Sequence, residues 1–153
     1  MRAAIFSLMG IVPTVLGAHY LATNTSQFLG VTIPDDDGIP ILVSKDKAAT
    51  VEINGGILEA DTHKNGTAHK WQTTVNSGNG ALGFSTQENG IPPTPGFSFT
   101  NSGSLVFGKD TANKGFRGCH SAGSDWPTVL FWQSTHDPLE EYCSYLSLKS
   151  VEA

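Results

Sequence analysis

Residues 75–84 read VNSGNGALGF, and this stretch separates two kinds of fold. Gly78, Gly80 and Gly83 spell GxGxxG, the pattern of a dinucleotide-binding turn. That turn lies between a strand and a helix, because the phosphate binds at the helix N-terminus. The residues that follow, FSTQENGIPPTPG, are too rich in proline and glycine to form a helix. We therefore predict a tight turn at residues 77–80 that joins two strands, and we predict no cofactor.

Short apolar segments separated by turn residues recur along the rest of the chain. Charged residues make up 15% of the composition, and the 17 glycines and 8 prolines favour short strands over helices. The predicted strands are residues 28–33, 39–43, 50–53, 57–60, 68–75, 81–85, 97–99, 104–107, 115–119, 128–133 and 144–151. Their fairly even spacing predicts a single all-β domain, either an antiparallel β-sandwich or a flattened β-barrel.

Local signals add detail to this prediction. Asn54-Gly55 and residues 101–103 are typical of hairpin turns. Residues 128–133 (TVLFWQ) are apolar on both faces, which indicates a strand in the middle of the core. Residues 137–142 (DPLEEY) alone predict a helical turn, with an aspartate cap followed by proline.

The first residues have the pattern of a secretory signal peptide. Arg2 supplies the positive charge, residues 3–16 are apolar, and small residues follow at the expected cleavage point. We predict a signal peptide over residues 1–17 and a secreted domain over residues 18–153. The alternative is a buried N-terminal strand. The apolar run is shorter than a membrane span and contains Pro13, so we expect no membrane anchor.

The formal net charge of the chain is −5. A mildly acidic protein without a basic cluster is repelled by phosphate groups, so we expect no nucleic-acid partner.

Cys119 and Cys143 are the two cysteines of the chain. In a secreted protein the simplest interpretation is one disulfide. The alternative is a nucleophilic Cys119 activated by His120. Neighbouring residues of a strand point to opposite faces, which counts against that pair.

Two sequons, at Asn24 and Asn65, are typical of a secreted surface and are candidate glycosylation sites.

Three patterns resemble metal or catalytic sites. Asp61, His63 and His69 could bind a metal, but they flank a flexible hairpin tip, and residues 35–38 (DDDG) lack the spacing of a calcium loop. We interpret both as solvated turns and predict no metal.

No GxSxG motif is present. A paired-carboxylate glycosidase could use Asp125, Asp137, Glu140 or Glu141. Glu140 and Glu141 are adjacent and would diverge, so we interpret them as a solvated face. We predict no catalytic residue.

Aromatic side chains could form a sugar-binding platform, and the candidates are Trp71, Trp126, Trp132, Tyr142 and Tyr145. Trp132 lies in the apolar run and is expected in the core. Trp126 lies in a loop inside the disulfide ring, so it is the preferred candidate for an exposed ligand contact.

The second half of the chain resembles the small secreted fungal cell-wall proteins of the PhiA type, some of which are labelled IgE-binding proteins. The matching segments, in the order of that family, are GALGFSTQ (80–87), SLVFG (104–108), GFRGC (115–119), VLFWQ (129–133) and YCSYLSLKSVE (142–152). The resemblance implies a wall-associated protein of filamentous fungi without a known catalytic site. It also implies that Cys119 and Cys143 are bonded.

Together these observations predict a non-enzymatic, secreted structural or surface component of a fungal cell wall. Its expected partners are wall polysaccharide or other wall proteins. Two alternatives stay open at this point: a lectin-like binder of wall or host glycans, and a secreted effector that acts on a host protein.

Overall fold

The computed structural model describes residues 18–32, 37–64, 66–86, 90–120 and 129–153. The predicted signal peptide therefore lies outside the described residues. The strands are β1 (His19–Thr23), β2 (Phe28–Thr32), β3 (Asp37–Val43), β4 (Thr50–Asn54), β5 (Ile57–Lys64), β6 (Thr67–Val75), β7 (Leu82–Ser85), β8 (Phe97–Phe99), β9 (Leu105–Phe107), β10 (Lys114–Cys119), β11 (Val129–Ser134), β12 (Cys143–Leu146) and β13 (Leu148–Glu152). One 3₁₀ turn, Lys45–Lys47, lies between β3 and β4. No helix in these ranges is long and apolar enough to cross a bilayer.

Seven of the described strands form a closed antiparallel barrel in the order β3-β2-β1-β4-β5-β6-β7. The ring closes where β3 pairs with β7, with Asp37 opposite Ser85 and Gly38 opposite Phe84. Strand β13 pairs along β1 outside this ring. The prediction of an all-β antiparallel fold is confirmed, and the architecture is the barrel.

Every second residue along a barrel strand points inward, and these side chains fill the barrel interior. The buried apolar side chains on its inner face include Leu21, Leu29, Val51, Leu58, Trp71 and Phe84. Two polar groups that reach this interior have partners: the Trp71 indole N–H donates to the Thr62 hydroxyl at 2.9 Å, and the Thr73 hydroxyl donates to the Leu58 carbonyl at 2.6 Å. These bonds offset the cost of placing polar atoms among apolar ones.

A three-stranded extension, β12-β10-β11, continues the sheet from β3. It is attached where Val129 lies opposite Ile41 and where Ala81 lies opposite Phe131. The β8–β9 hairpin packs aromatic rings against one face of this extension. Ring centroids lie 4.7 Å apart for Phe116 and Trp132 and 6.2 Å apart for Phe107 and Trp132.

Most predicted strands are confirmed, with small shifts of their ends. The predicted strand at residues 144–151 is two strands, because β12 pairs with β10 whereas β13 pairs with β1. Strand β1 and the 3₁₀ turn were not predicted. The predicted hairpin turn at Asn54-Gly55 is shifted by one residue: Asn54 pairs with Ile57, and Gly55 and Gly56 form the turn with φ values of 57° and 81°.

The predicted helical turn at residues 137–142 is wrong. The described residues there contain no helix, and one backbone bond, from the Cys143 N–H to the Glu140 carbonyl, closes a turn at their end. The carbonyl of Asp137, which would start a helix, instead accepts hydrogen bonds from side chains of β10 and β12. Tertiary contacts thus override the local capping signal.

The glycine-rich stretch at residues 75–84 is a hairpin, as predicted, and it joins β6 to β7. The Asn76 side-chain oxygen accepts hydrogen bonds from the backbone N–H groups of Gly78 and Asn79, at 2.8 and 3.1 Å. Gly80 has φ 73°, and its carbonyl accepts a hydrogen bond from the Trp132 N–H at 2.8 Å. The turn therefore also connects the barrel to the extension.

Substitution of Gly80 by alanine is expected to destabilise the fold by about 2–5 kcal/mol, from left-handed backbone strain and overpacking together. A β-carbon there would lie only 2.0 Å from the Trp132 carbonyl oxygen, which belongs to backbone and cannot rotate away. Urea unfolding measures the loss. Gly78→Ala, in the same turn, is the matched control, since its β-carbon would approach only the Asn76 side chain. Equal losses in the two variants would contradict this account of the junction.

Candidate functional site

The disulfide joins Cys119 of β10 to Cys143 of β12. The two residues lie directly opposite each other in the register, with Cα atoms 4.1 Å apart. The predicted pairing is confirmed, and a nucleophilic Cys119 is excluded while the bond is intact because the sulfur is not a free thiol. The bond covalently links β12, the edge strand of the extension, to its neighbour β10.

Arg117 of β10 and Tyr145 of β12 form a second side-chain contact between the same two strands. Arg117 is only 5% exposed, and its guanidinium carbon lies 5.4 Å from the centre of the Tyr145 ring. It donates to the Tyr145 hydroxyl at 3.3 Å and to the Asp137 carbonyl at 3.5 Å. The Tyr145 hydroxyl lies 3.1 Å from that same carbonyl and 3.3 Å from the Ser134 carbonyl. The segment between β11 and β12 is thereby held to the extension by side chains.

Exposed apolar side chains gather on this segment and on β12, which follows it. Of the five large apolar residues found exposed in the described ranges, three lie within residues 139–145: Leu139 at 43%, Tyr142 at 40% and Tyr145 at 36% exposure. His120, also exposed, packs its ring against Tyr142 with centroids 5.9 Å apart. Its backbone N–H donates to the Tyr142 carbonyl at 3.0 Å. We call His120, Leu139, Tyr142 and Tyr145 the disulfide face.

The chemistry of the disulfide face suits a ligand that is partly apolar and partly polar. Tyrosine combines a flat apolar ring with a polar tip, which is the combination that packs against sugar rings in a partly wet site. Arg117 packs on the Tyr145 ring and donates to its hydroxyl, so this ring is positioned before any ligand arrives. This lowers the entropy lost on binding.

The aromatic residues named from sequence as candidates for a sugar-binding platform differ in burial. Trp71 fills the barrel and Trp132 fills the core beneath the β8–β9 hairpin, and both are buried. Neither can take part in an exposed platform. Trp126 lies outside the described residues, so its role stays a prediction. Tyr142 precedes Cys143 in the chain and Tyr145 follows it, so both tyrosines lie close to the disulfide in sequence and are exposed. Sequence reasoning named them without separating them from the tryptophans.

The other candidate residues lie apart from this face. Asn24 is exposed in the turn between β1 and β2, where a glycan could be attached. Asn65 and the DDD of residues 35–37 fall on or beside residues that are not described.

The histidines considered for a metal site do not converge. His69 lies opposite Thr62 in the register of β5 and β6, on the same face as Trp71, with which its ring stacks at 6.3 Å. Asp61 and His63 lie on the alternate positions of β5 and therefore face the other side of the sheet. In the part of the chain that the structure describes, no three metal-ligating side chains are grouped.

A polar network that was not predicted from sequence lies on the outer face of β4, β5 and β6. Lys70 Nζ lies 2.8 Å from a Glu52 carboxylate oxygen and 3.0 Å from a Glu59 carboxylate oxygen. Glu59 also accepts hydrogen bonds from Asn54 at 2.7 Å and from Gln72 at 3.0 Å. The turn signal at Asn54-Gly55 could have predicted part of this network from sequence. The register that pairs Asn54 with Ile57 also places Glu52 opposite Glu59.

The network shifts the pKa of its members. Burial raises the pKa of Glu59, but the hydrogen bonds from Gln72, Asn54 and Lys70 outweigh burial and hold it below its ordinary value of 4.5. Hydrogen bonds to Glu52 and Glu59 raise the pKa of Lys70 above its ordinary value. The charged forms of both groups are thus favoured in the folded state.

Comparisons with protein-family models, with curated proteins and with solved structures gave no significant match.

Removing the disulfide with the pair Cys119→Ala and Cys143→Ala is expected to lower the free energy of unfolding by about 3 kcal/mol. The bond joins residues 24 positions apart, and its loss gives freedom back mainly to the unfolded chain. Thermal unfolding of the oxidised protein, the reduced protein and the double variant measures the effect. A reduced protein as stable as the oxidised one would show that the bond contributes nothing beyond the β10–β12 pairing.

We expect the Glu59 carboxylate to make the free energy of unfolding depend on pH. Since its folded pKa is depressed, its contribution is present above pH 4.5 and is lost as the pH falls through the folded pKa. Glu59→Gln should therefore be less stable than the wild type at pH 7, and the gap should narrow as the solution is made more acidic than pH 4.5. Urea midpoints across that range measure the gap. The same substitution in a Lys70→Met background is the control and should show a smaller gap at pH 7, whereas an unchanged gap would rule out coupling between the two groups.

Proposed function

We propose that this protein is a non-enzymatic, secreted component of a fungal cell wall that attaches to wall polysaccharide through the disulfide face. One observation carries the proposal: exposed tyrosines are concentrated on a segment fastened both by a disulfide and by a buried arginine. A surface that is both apolar and rigidly held is typical of a binding site.

The resemblance to PhiA-type wall proteins supports the same reading. The segments that carry the resemblance include β10, which ends at Cys119, and the stretch from Tyr142 onward, which contains Cys143 and both tyrosines of the disulfide face. A bonded cysteine pair is also typical of proteins that work outside the cell, where thiols are oxidised. The signal-peptide pattern of residues 1–17 agrees with that compartment.

Attachment through tyrosine rings has a physical basis in the geometry. A sugar ring presents C–H groups on its faces, and an aromatic ring held in place can stack on them with little loss of side-chain freedom. The Tyr145 hydroxyl is occupied by Arg117, Asp137 and Ser134, so its exposed part is the ring. His120 and Glu140 add exposed polar groups beside the rings.

The test is retention of the oxidised protein on insoluble chitin, on β-glucan and on whole fungal wall. Tyr142→Ala is expected to reduce retention about tenfold, the order of one lost stacking contact. Ile91→Ala is the matched control, because Ile91 is an exposed apolar residue outside the disulfide face. Circular dichroism verifies that each variant keeps the fold.

The outcomes separate the possible functions. Retention on one polysaccharide, competed by its soluble oligomers and lost in Tyr142→Ala, supports the proposal in its lectin-like form. Retention on whole wall alone supports association with other wall components. No retention on any material overturns the proposal and favours an effector with a protein partner. Trp126→Ala in the same assay tests the contact predicted from sequence.

A further inference from the structure

Four Asn-Gly pairs occur in the sequence, and the structure describes both residues of two of them, Asn54-Gly55 and Asn79-Gly80. The first pair lies at the hairpin between β4 and β5, the second at the hairpin between β6 and β7, and both asparagines are exposed. Asparagine is chemically labile, because the backbone nitrogen of the next residue can attack its side-chain amide. Glycine favours this attack, since it has no β-carbon to hinder the approach of its nitrogen.

The reaction requires only the two residues and water. The glycine nitrogen bonds to the asparagine Cγ atom, the Cγ–Nδ2 bond breaks, and the side-chain nitrogen leaves as ammonia together with the backbone proton. Water then opens the succinimide ring that has formed. Opening at Cγ gives aspartate, whereas opening at the backbone carbonyl carbon gives isoaspartate, in which the chain runs through the former side chain. Both products carry a carboxylate in place of the neutral amide.

At the β6–β7 turn the fold restrains both reacting groups. The Gly80 N–H donates to the Asn76 carbonyl at 2.9 Å, and the Asn79 side-chain oxygen accepts a hydrogen bond from the Ala81 N–H at 3.0 Å. Gly80 also packs closely against β11, because a β-carbon there would lie 2.0 Å from the Trp132 carbonyl oxygen. The nitrogen and the amide therefore cannot turn toward each other without breaking these contacts.

At the β4–β5 turn the attacking nitrogen is less restrained. The Gly55 N–H makes no hydrogen bond to another described residue, and apart from its chain neighbours no described residue has an atom within 4 Å of where a Gly55 β-carbon would stand. Gly56 follows, so the next residue adds no side chain either. The Asn54 amide nitrogen donates to a Glu59 carboxylate oxygen at 2.7 Å. Rotation within this turn can bring the Gly55 nitrogen to Asn54 Cγ without moving another strand.

We propose that Asn54 is a site of spontaneous deamidation and that its conversion weakens the fold. The amide that donates to Glu59 becomes a carboxylate, so two negative groups replace a hydrogen bond. Lys70 already lies between the carboxylates of Glu52 and Glu59, so the added charge brings no cation with it. Isoaspartate also lengthens the backbone where Asn54 pairs with Ile57. The protein thus loses stability as it ages, and this inference is independent of the disulfide face.

Two deamidation rates measured in one sample test the assignment. The oxidised protein is incubated at neutral pH and digested at intervals, and mass spectrometry follows the deamidated fraction of the fragments that contain Asn54 and Asn79. In the folded protein Asn54 should convert at least tenfold faster than Asn79. In concentrated urea the turn contacts are absent, so the two sites should convert at similar rates. Equal rates in the folded protein, or faster conversion of Asn79, overturn the proposal.

Substitutions at Asn54 test the effect on stability. Asn54→Asp reproduces the aspartate product, and Asn54→Ser, the matched control, removes the same hydrogen bond without adding a charge. At neutral pH, Asn54→Asp should unfold at a lower urea concentration than both the wild type and Asn54→Ser. The gap between the two variants should close in acid, where protonation removes the repulsion. An Asn54→Asp protein as stable as Asn54→Ser at neutral pH contradicts the proposed weakening. Wall retention should be unchanged in Asn54→Asp, which separates this proposal from the one on the disulfide face.

Discussion

The pairing of β3 with β7 is the constraint on which the structure depends, because it turns a row of strands into a ring. It occurs at Gly38, and a β-carbon there would lie 3.0 Å from the Phe84 β-carbon of β7 and 2.6 Å from a Val31 methyl group of β2. The close approach of the two strands thus requires glycine at this position. Closure removes the sheet edges of the barrel and fixes which alternate residues face inward. Strand β3 also pairs with β11 beyond the point of closure, so the extension with its disulfide is placed by the same strand.

Around this frame the protein uses charged side chains in two different ways. Arg117 is nearly buried and donates from one terminal nitrogen to a hydroxyl and a carbonyl, so its role in the fold is to hold a segment in position. Lys70 lies on the outside between two carboxylates, where it neutralises part of an acidic surface. The first arrangement presents apolar rings beside the disulfide, and the second leaves a surface with excess negative charge. The proposal for the disulfide face rests on the first arrangement, which presents its rings to a ligand.

Sequence reasoning recovered the parts of the structure that local patterns determine. Alternating apolar residues and turn dipeptides gave the fold class and most strands, and the cysteine count gave the disulfide. It failed where a distant partner decides. Strand β1 has no strong local signal and is a strand because β13 pairs with it. Pro138 predicts a helix, but Tyr145 and Arg117 donate hydrogen bonds to the Asp137 carbonyl instead. The preferred ligand contact, Trp126, lies outside the described residues and stays a prediction. Among the other aromatic candidates, periodicity does not separate buried Trp132 from exposed Tyr142.

The pairing of β1 with β13 has a consequence for how the molecule forms. It sets His19 opposite Glu152, so residues near the two ends of the sequence become neighbours in one ladder. Contacts between such distant residues require a large loop to close before any of them stabilises the chain, and folds rich in them form slowly. Strand β1 can complete its ladder only after β13 has been synthesised. Until then its hydrogen-bonding edge is open, and the nascent protein is at its most vulnerable to aggregation.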